Sequence, residues 1–152
     1  MSLIKKIKTI AEALDFQFFY DSGQGIESAI ANANISDDET VVFAYLLSAT
    51  TLSDGKESGQ IGIFFYRLTD FDFGALENDA IQEETKKDAV RFLMAVDKTN
   101  LLTYSDPVSI SRGWDALGAN MTGVAITANF SEVVGVSQCL DTYYVLPKII
   151  CE

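Results

Sequence analysis

Two residue types that often carry out nucleophilic, acid–base and metal chemistry, histidine and cysteine, are absent or rare in this chain of 152 residues. It contains no histidine, which is both the commonest general base and the commonest metal ligand. A serine or cysteine nucleophile would therefore lack its usual partner. A Ser–Lys pair stays open, although the 11 lysine and arginine residues form no motif. These residue types favour a protein without enzymatic activity.

Two short motifs begin like ligand-binding sites and are not completed. Gly23-Gln24-Gly25 starts a G-x-G pattern, but the third glycine is missing and no Walker A sequence is present, so we interpret the segment as a turn. Asp70 and Asp72 are spaced like the first ligands of a calcium loop. Ile81 stands where that loop requires its closing glutamate. We expect the pair to lie at the start of a helix capped by Asp72, and we predict no cofactor and no metal.

The remaining candidates are carboxylate pairs and cysteines. Asp37 with Asp38 and Glu83 with Glu84 lie in very polar surroundings, where raised pKa values are not expected, so we predict solvated surface. The two cysteines, Cys139 and Cys151, form no CxxC pair and no disulfide framework. We expect both to be free thiols in a reducing cytoplasm.

Composition and charge narrow the class of protein further. Hydrophobic residues make up 48% of the chain, which is enough for one packed core. The net charge of -11 argues against a protein that grips nucleic-acid phosphate. It fits either a soluble surface or the lining of a channel through which DNA passes without binding. The N-terminus lacks the apolar run of a signal peptide, and no stretch is long enough to span a membrane, so we predict no membrane partner.

Hydrophobic periodicity predicts the elements of the first half. Residues 2–14 form an amphipathic helix with Lys5, Lys6 and Lys8 on its outer side, and residues 16–20 form a short strand. Residues 26–34 are compatible with a short helix.

Residues 40–50 and 60–68 are predicted to pair as a β-hairpin joined by a long polar loop, residues 51–59. The loop tip contains Asp54, Gly55, Lys56 and Glu57. Such a loop is either a floppy connection or a presented binding element, and its length favours the second. We therefore take these four residues as candidate interface residues.

The second half begins with a long helix over residues 77–98, capped by Asn100, with Gln82 and Asp88 among the residues expected on its outer side. Short strands are predicted at 101–104 and 108–112, and an alternating strand at 121–130. Residues 142–150 form an apolar tail that adds an edge strand or docks on a partner.

Arg112 and Trp114 lie in a turn-like segment, and both residue types are enriched at interface hot spots. A buried anchor for the loop is the alternative for Trp114.

This order of elements predicts one domain, residues 1–152, with an α+β fold: a small antiparallel or mixed sheet with a prominent hairpin, flanked by an N-terminal helix and a long central helix.

Several local patterns can be compared with a known family. They are the hairpin at 41–68, the Asp70-Phe71-Asp72-Phe73-Gly74-Ala75-Leu76-Glu77-Asn78 segment, the helix through 89–93, and the strand at 122–126 that leads to Gly135-Val136-Ser137-Gln138-Cys139. In these the chain resembles small tail terminator, or tail-completion, proteins of tailed phages and prophages, particularly those of phages that infect Bacteroidetes. None of the patterns is a catalytic signature.

The resemblance implies a homo-oligomeric ring, usually a hexamer, that caps the tail tube protein and joins it to the head–tail connector protein. The protein would be part of the virion and would be assembled in the cytoplasm of the bacterial host. DNA would meet it only as cargo passing through the lumen. The Asp54–Glu57 tip would face the tube or a neighbouring subunit. A monomeric adaptor or inhibitor that binds a host protein is the alternative, because the same tip and the apolar tail would serve it equally.

Overall fold

The computed structural model describes residues 3–20, 39–47, 49–68, 75–116 and 121–133, with backbone only for 75 and 114–116. Several predicted features lie outside these ranges: the turn at Gly23–Gly25, the helix at 26–34, Asp37 with Asp38, the Asp70–Asp72 segment, both cysteines and the tail at 142–150.

The elements follow one another in the predicted order. Helix α1 spans Leu3–Ala13, and helix α2 spans Ala75–Thr99. The strands are β1 (Gln17–Phe19), β2 (Val41–Leu46), β3 (Thr51–Ser53), β4 (Lys56–Leu68), β5 (Leu102–Tyr104), β6 (Ser109–Ala116) and β7 (Met121–Glu132). Asn100 has a φ of 54° directly after α2, as expected of a left-handed residue that ends a helix. No helix in the described ranges is both long and apolar enough to cross a membrane.

One mixed sheet contains all of these strands. Its order is β1-β2-β4-β7-β5, with β3 paired to β4 and β6 paired to β7. β1 runs parallel to β2, and the other pairs are antiparallel. The α+β prediction, with a mixed sheet, a hairpin and two helices, is confirmed.

The two helices pack on one face of the sheet and bury the main core there. Alternation along β4 and β7 places Ile63, Phe65, Val124 and Ile126 on this face, as the predicted pattern of β7 requires. Phe92 of α2 packs against Phe65 with ring centroids 5.6 Å apart. Burial of these side chains is the main source of stability, since each contributes roughly 1.5–3 kcal/mol.

The opposite face carries a cluster of aromatic rings on β2 and β4. Phe43 stacks on Phe64 with centroids 4.5 Å apart, and Phe64 meets Tyr66 edge to face at 5.6 Å. The Tyr66 ring lies over β7 at Gly123, where an added Cβ would come within 2.0 Å of the Phe65 carbonyl oxygen. Only glycine allows this close approach, so Gly123 and Tyr66 fit each other as a pair.

The hairpin differs from the prediction at its tip. The residues expected to form a long loop include β3, which pairs with the start of β4 through Thr51 with Ser58 and Ser53 with Lys56. Only Asp54 and Gly55 form the turn, with φ values of 54° and 76°. An Asp-Gly pair with both residues left-handed is the preferred two-residue hairpin turn. The predicted long loop is therefore wrong, because strands with two polar faces lack the hydrophobic alternation used to find them.

The polar side of α2 also differs from the prediction. Gln82 and Asp88, expected outside, are buried, as are Asn78 and Thr85. These four polar residues recur at helical spacing and face the sheet along the N-terminal half of α2. Thr122 of β7 donates a hydrogen bond to Asn78 Oδ1 at 3.0 Å. Burial of these residues is tolerated because hydrogen bonds satisfy their polar groups, within the helix for Thr85 and outside it for the other three.

The position of Lys6 also differs from the prediction. It was expected on the outer side of α1 and is instead 1% exposed. Its Nζ lies 3.4 Å from Oε1 of Glu132 at the end of β7. A buried lysine is tolerated when a carboxylate offsets its charge.

Candidate functional site

The tip of the hairpin extends past Ser58, the last residue of β4 that pairs with β7, and we define residues 51–58 as the hairpin arm. Its residues Thr51 to Lys56 are all exposed. Asp54, Gly55 and Lys56, three of the predicted interface residues, therefore lie together at the tip and face solvent. Leu52, in β3, is 77% exposed.

Hydrogen bonds at its base hold the hairpin arm in place. The Glu57 backbone N–H donates to Oε2 of Glu132 at 3.1 Å. The other oxygen of Glu132 faces Nζ of buried Lys6, so one carboxylate links α1, β7 and the arm. Thr50 Oγ1 donates to the Glu57 carboxylate at 3.1 Å. Glu57 therefore helps to support the arm, whereas Lys56, next to the turn, is exposed.

Arg112 and Trp114 lie elsewhere on the sheet. Arg112 pairs with Val124 in β7, whereas the base of the hairpin arm pairs near Ser131, seven residues along the same strand. At about 3.3 Å per residue this separates the two regions by roughly 20 Å. The six predicted interface residues therefore form two groups, not one site.

Arg112 makes contacts within the chain. Its Nη2 donates to Glu83 Oε1 at 2.7 Å, and its Nη1 lies 3.5 Å from Asp79 Oδ1. The hydrogen bond from Arg112, with Lys86 nearby, lowers the pKa of Glu83 below its usual value. Arg112 thus fastens edge strand β6 to α2. Trp114 lies within β6, not in a turn, inside the register shift between Gly113 and Ala116 opposite β7.

The residues that sequence reasoning missed form a polar cluster at the end of the sheet. The Thr40 hydroxyl donates to Asp88 Oδ2, and Arg67 Nε donates to Thr40 Oγ1 at 3.0 Å. Arg67 Nη2 and Arg91 Nη1 each lie 3.4 Å from an Asp88 oxygen. The guanidinium of Arg91 also lies 5.5 Å from the centre of the Phe16 ring. We call these residues the Asp88 cluster.

The chemistry available to the Asp88 cluster is limited. It borders a cavity of about 340 Å³ that is also lined by Gln17 and Glu39. Asp88 is held by two cations and a hydroxyl, so its oxygens are already engaged within the chain. The arrangement ties α2 to β4 and to Thr40, the residue before β2. The spacing of Asn78, Gln82, Thr85 and Asp88 is the sequence signal that could have revealed the polar stripe to which Asp88 belongs.

A second cavity, of about 380 Å³, lies beside the base of the hairpin arm. Its described lining consists of uncharged residues, among them Gln60, Asn129 and Ser131. Such side chains donate and accept hydrogen bonds but do not transfer protons near neutral pH. Across the described ranges, no three Asp, Glu, Cys or His side chains are grouped so that they could hold a metal ion.

Compared with models of known protein families and with curated proteins, the sequence has no match.

Proposed function

We propose that this chain is a structural virion protein, a tail terminator or tail-completion subunit. Copies of it form a ring that caps the tail tube and joins it to the head–tail connector. The observation that carries the proposal is the hairpin arm, an exposed strand pair anchored at its base by Glu132. The resemblance of the sequence to tail-completion proteins gives the arm its proposed partners, the tube protein and neighbouring subunits.

The anchoring of the hairpin arm suits an assembly element. A strand pair that is already ordered loses less conformational freedom on binding than a floppy loop does. The Glu132 carboxylate and the Thr50–Glu57 hydrogen bond hold the arm before any partner arrives. Exposed residues such as Leu52 and Lys56 are then presented in a defined geometry.

The edges of the sheet are compatible with ring formation. Among the described strands, β1 and β3 lie on one side of the sheet and β5 and β6 on the other, each pairing on a single side. An unpaired strand edge offers backbone donors and acceptors to another chain. Because the two sides differ, contacts between them would be head to tail, which is the kind of contact that closes a ring.

The distribution of charge supports a passage for DNA. The two helices contain as many acidic as basic residues, so the net charge of -11 comes from the rest of the chain. A ring that turns its helices away from the lumen would present mainly negative charge to DNA. Repulsion from phosphate would let DNA move through without binding.

The test is tube capping. Tail tube protein encoded in the same genome is polymerised with and without the purified chain, and tube ends and lengths are measured by electron microscopy. We expect rings at tube ends and shorter tubes when the chain is present. Tubes of unchanged length with bare ends would contradict the proposal, as would a strict monomer that instead captures one host protein stoichiometrically.

A charge reversal locates the contact on the hairpin arm. Lys56→Glu should weaken tube capping about tenfold while leaving the circular dichroism spectrum unchanged, because Lys56 is exposed at the turn. Lys86→Glu, an equally exposed reversal on α2, is the matched control and should cap normally. Equal effects of the two reversals would show that general charge, and not the arm, determines binding.

A further inference from the structure

Leu52 is an apolar side chain presented on a rigid support. It is 77% exposed and lies directly opposite Glu57 in the pairing of β3 with β4, so both side chains share one face of the hairpin arm. Asp54 follows two residues later in the turn. The arm therefore presents a leucine flanked by carboxylates.

A cavity of matching character lies where the end of α1 meets α2. It measures about 240 Å³ and is lined by Leu14, Arg91, Met94, Ala95 and Lys98, a set we call the helix pocket. Three of these residues are apolar and two are cationic. Met94 is 52% exposed, so an apolar surface is open to a partner there.

We propose that Leu52 of one copy of this chain inserts into the helix pocket of a second copy. This proposal rests on the proposed ring-forming function and specifies which surfaces of neighbouring subunits are in contact. The apolar lining of the pocket receives the leucine side chain, and Arg91 and Lys98 face the carboxylates of Glu57 and Asp54. Both the apolar and the charged parts of the two surfaces are therefore complementary.

The two surfaces lie on the same chain but are different, and this decides the type of assembly. The exposure of Leu52 shows that the hairpin arm does not fill the pocket of its own chain. A contact between two unlike patches repeats from copy to copy and produces a ring when the rotation closes. A two-fold dimer would instead bring identical patches together.

Cross-linking between single-cysteine variants tests the contact. In a Cys139→Ser, Cys151→Ser background, Leu52→Cys and Met94→Cys are prepared as separate proteins, and each is oxidised alone or after mixing. We expect disulfide-linked dimers in the mixture and none from either variant alone, because the contact joins unlike patches. Cross-linking of Leu52→Cys to itself would overturn the proposal, as would a mixture without cross-links in a sample that sedimentation shows to be assembled.

A pair of leucine substitutions supplies the energetic test. Leu52→Asp should weaken self-association at least about tenfold, since it places a charge in an apolar pocket. Leu76→Asp, at a leucine that is 85% exposed on α2, is the matched control and should leave self-association within about twofold. If Leu52→Asp assembles and caps tubes normally, the pocket contact is wrong and the proposed function stands. If the wild-type chain neither assembles nor caps tubes, both fail.

Discussion

At the residue scale, Glu132 connects three parts of the molecule. Its carboxylate faces buried Lys6 on one side and accepts the Glu57 N–H of the hairpin arm on the other. Buried ion pairs add little stability compared with apolar packing, but removing one partner is costly because the other charge stays buried. The position of the arm thus depends on a residue that is far from it in sequence.

Glu132→Gln tests this link. The amide can still accept the Glu57 N–H, but it no longer offsets the charge of Lys6, so we expect the free energy of unfolding to fall by about 3 kcal/mol in urea titrations. Glu12→Gln removes the partner of Lys8 in an exposed pair 3.8 Å apart, and should cost under about 0.5 kcal/mol. Similar losses in the two variants would show that the Lys6–Glu132 pair contributes no more to the free energy of unfolding than an exposed ion pair does.

Tyr66 predicts how stability changes at high pH. Burial, with a smaller effect from Tyr45, raises the pKa of Tyr66 above its usual value of 10.0. The unfolded chain therefore loses this proton at lower pH than the folded chain does. The stabilisation is complete below pH 10 and is lost as the pH rises through the folded pKa.

The variant Tyr66→Phe removes the titrating hydroxyl and should reduce the decline in stability above pH 10. Urea unfolding at pH 9 and pH 11 measures the difference for both proteins. A decline of the same size in wild type and variant would mean that Tyr66 ionises as freely in the folded chain as in the unfolded one.

At the element scale, α2 is attached to the sheet by two different kinds of contact. Its C-terminal half packs through Phe92 and Val96, whereas its N-terminal half packs through Asn78, Gln82 and the Asp88 cluster. Hydrogen bonds require one exact geometry, so the polar half fixes the position of the helix along the sheet.

Asp88→Ala should therefore destabilise the protein well beyond the loss of one surface charge. It leaves buried Thr40 and Nη2 of partly buried Arg67 without this acceptor, and we expect a loss of roughly 2–4 kcal/mol in the free energy of unfolding. Asp97→Ala, at an exposed acid of the same helix, should cost no more than about 0.5 kcal/mol. Equal losses would contradict a structural role for the Asp88 cluster.

The sequence predicted the elements whose patterns are amphipathic and missed those whose burial is polar. Helix α1, helix α2 and strand β7 have apolar stripes of the right period, and the structure confirms them. Strand β3 is exposed on both faces, and Gln82, Asp88 and Lys6 are buried through partners distant in sequence. A pattern that sorts residues into polar and apolar cannot reveal such partners, because pairing depends on tertiary geometry.

The candidate interface residues were likewise predictable from the sequence only in part. Exposure of Asp54, Gly55 and Lys56 was predictable from the turn signal and local polarity. The separation of Arg112 from them was not, since it follows from the register of β6 on β7. The commitment of Arg112 to Asp79 and Glu83 likewise depends on how α2 crosses the sheet.

At the scale of the whole molecule, three described features bear on the proposed assembly. The chain presents an anchored arm, an apolar pocket and unlike sheet edges, and its buried polar groups serve to hold helices and strands together. We propose that the arm, the pocket and the sheet edges contact neighbouring subunits.

Sedimentation velocity across a wide range of concentration, alone and with tail tube protein, measures this assembly. We expect the 16.7 kDa chain to form a closed species with a mass near six times its own, either alone or on contact with the tube. A species that stays at 16.7 kDa at every concentration, with and without tube protein, would contradict the account.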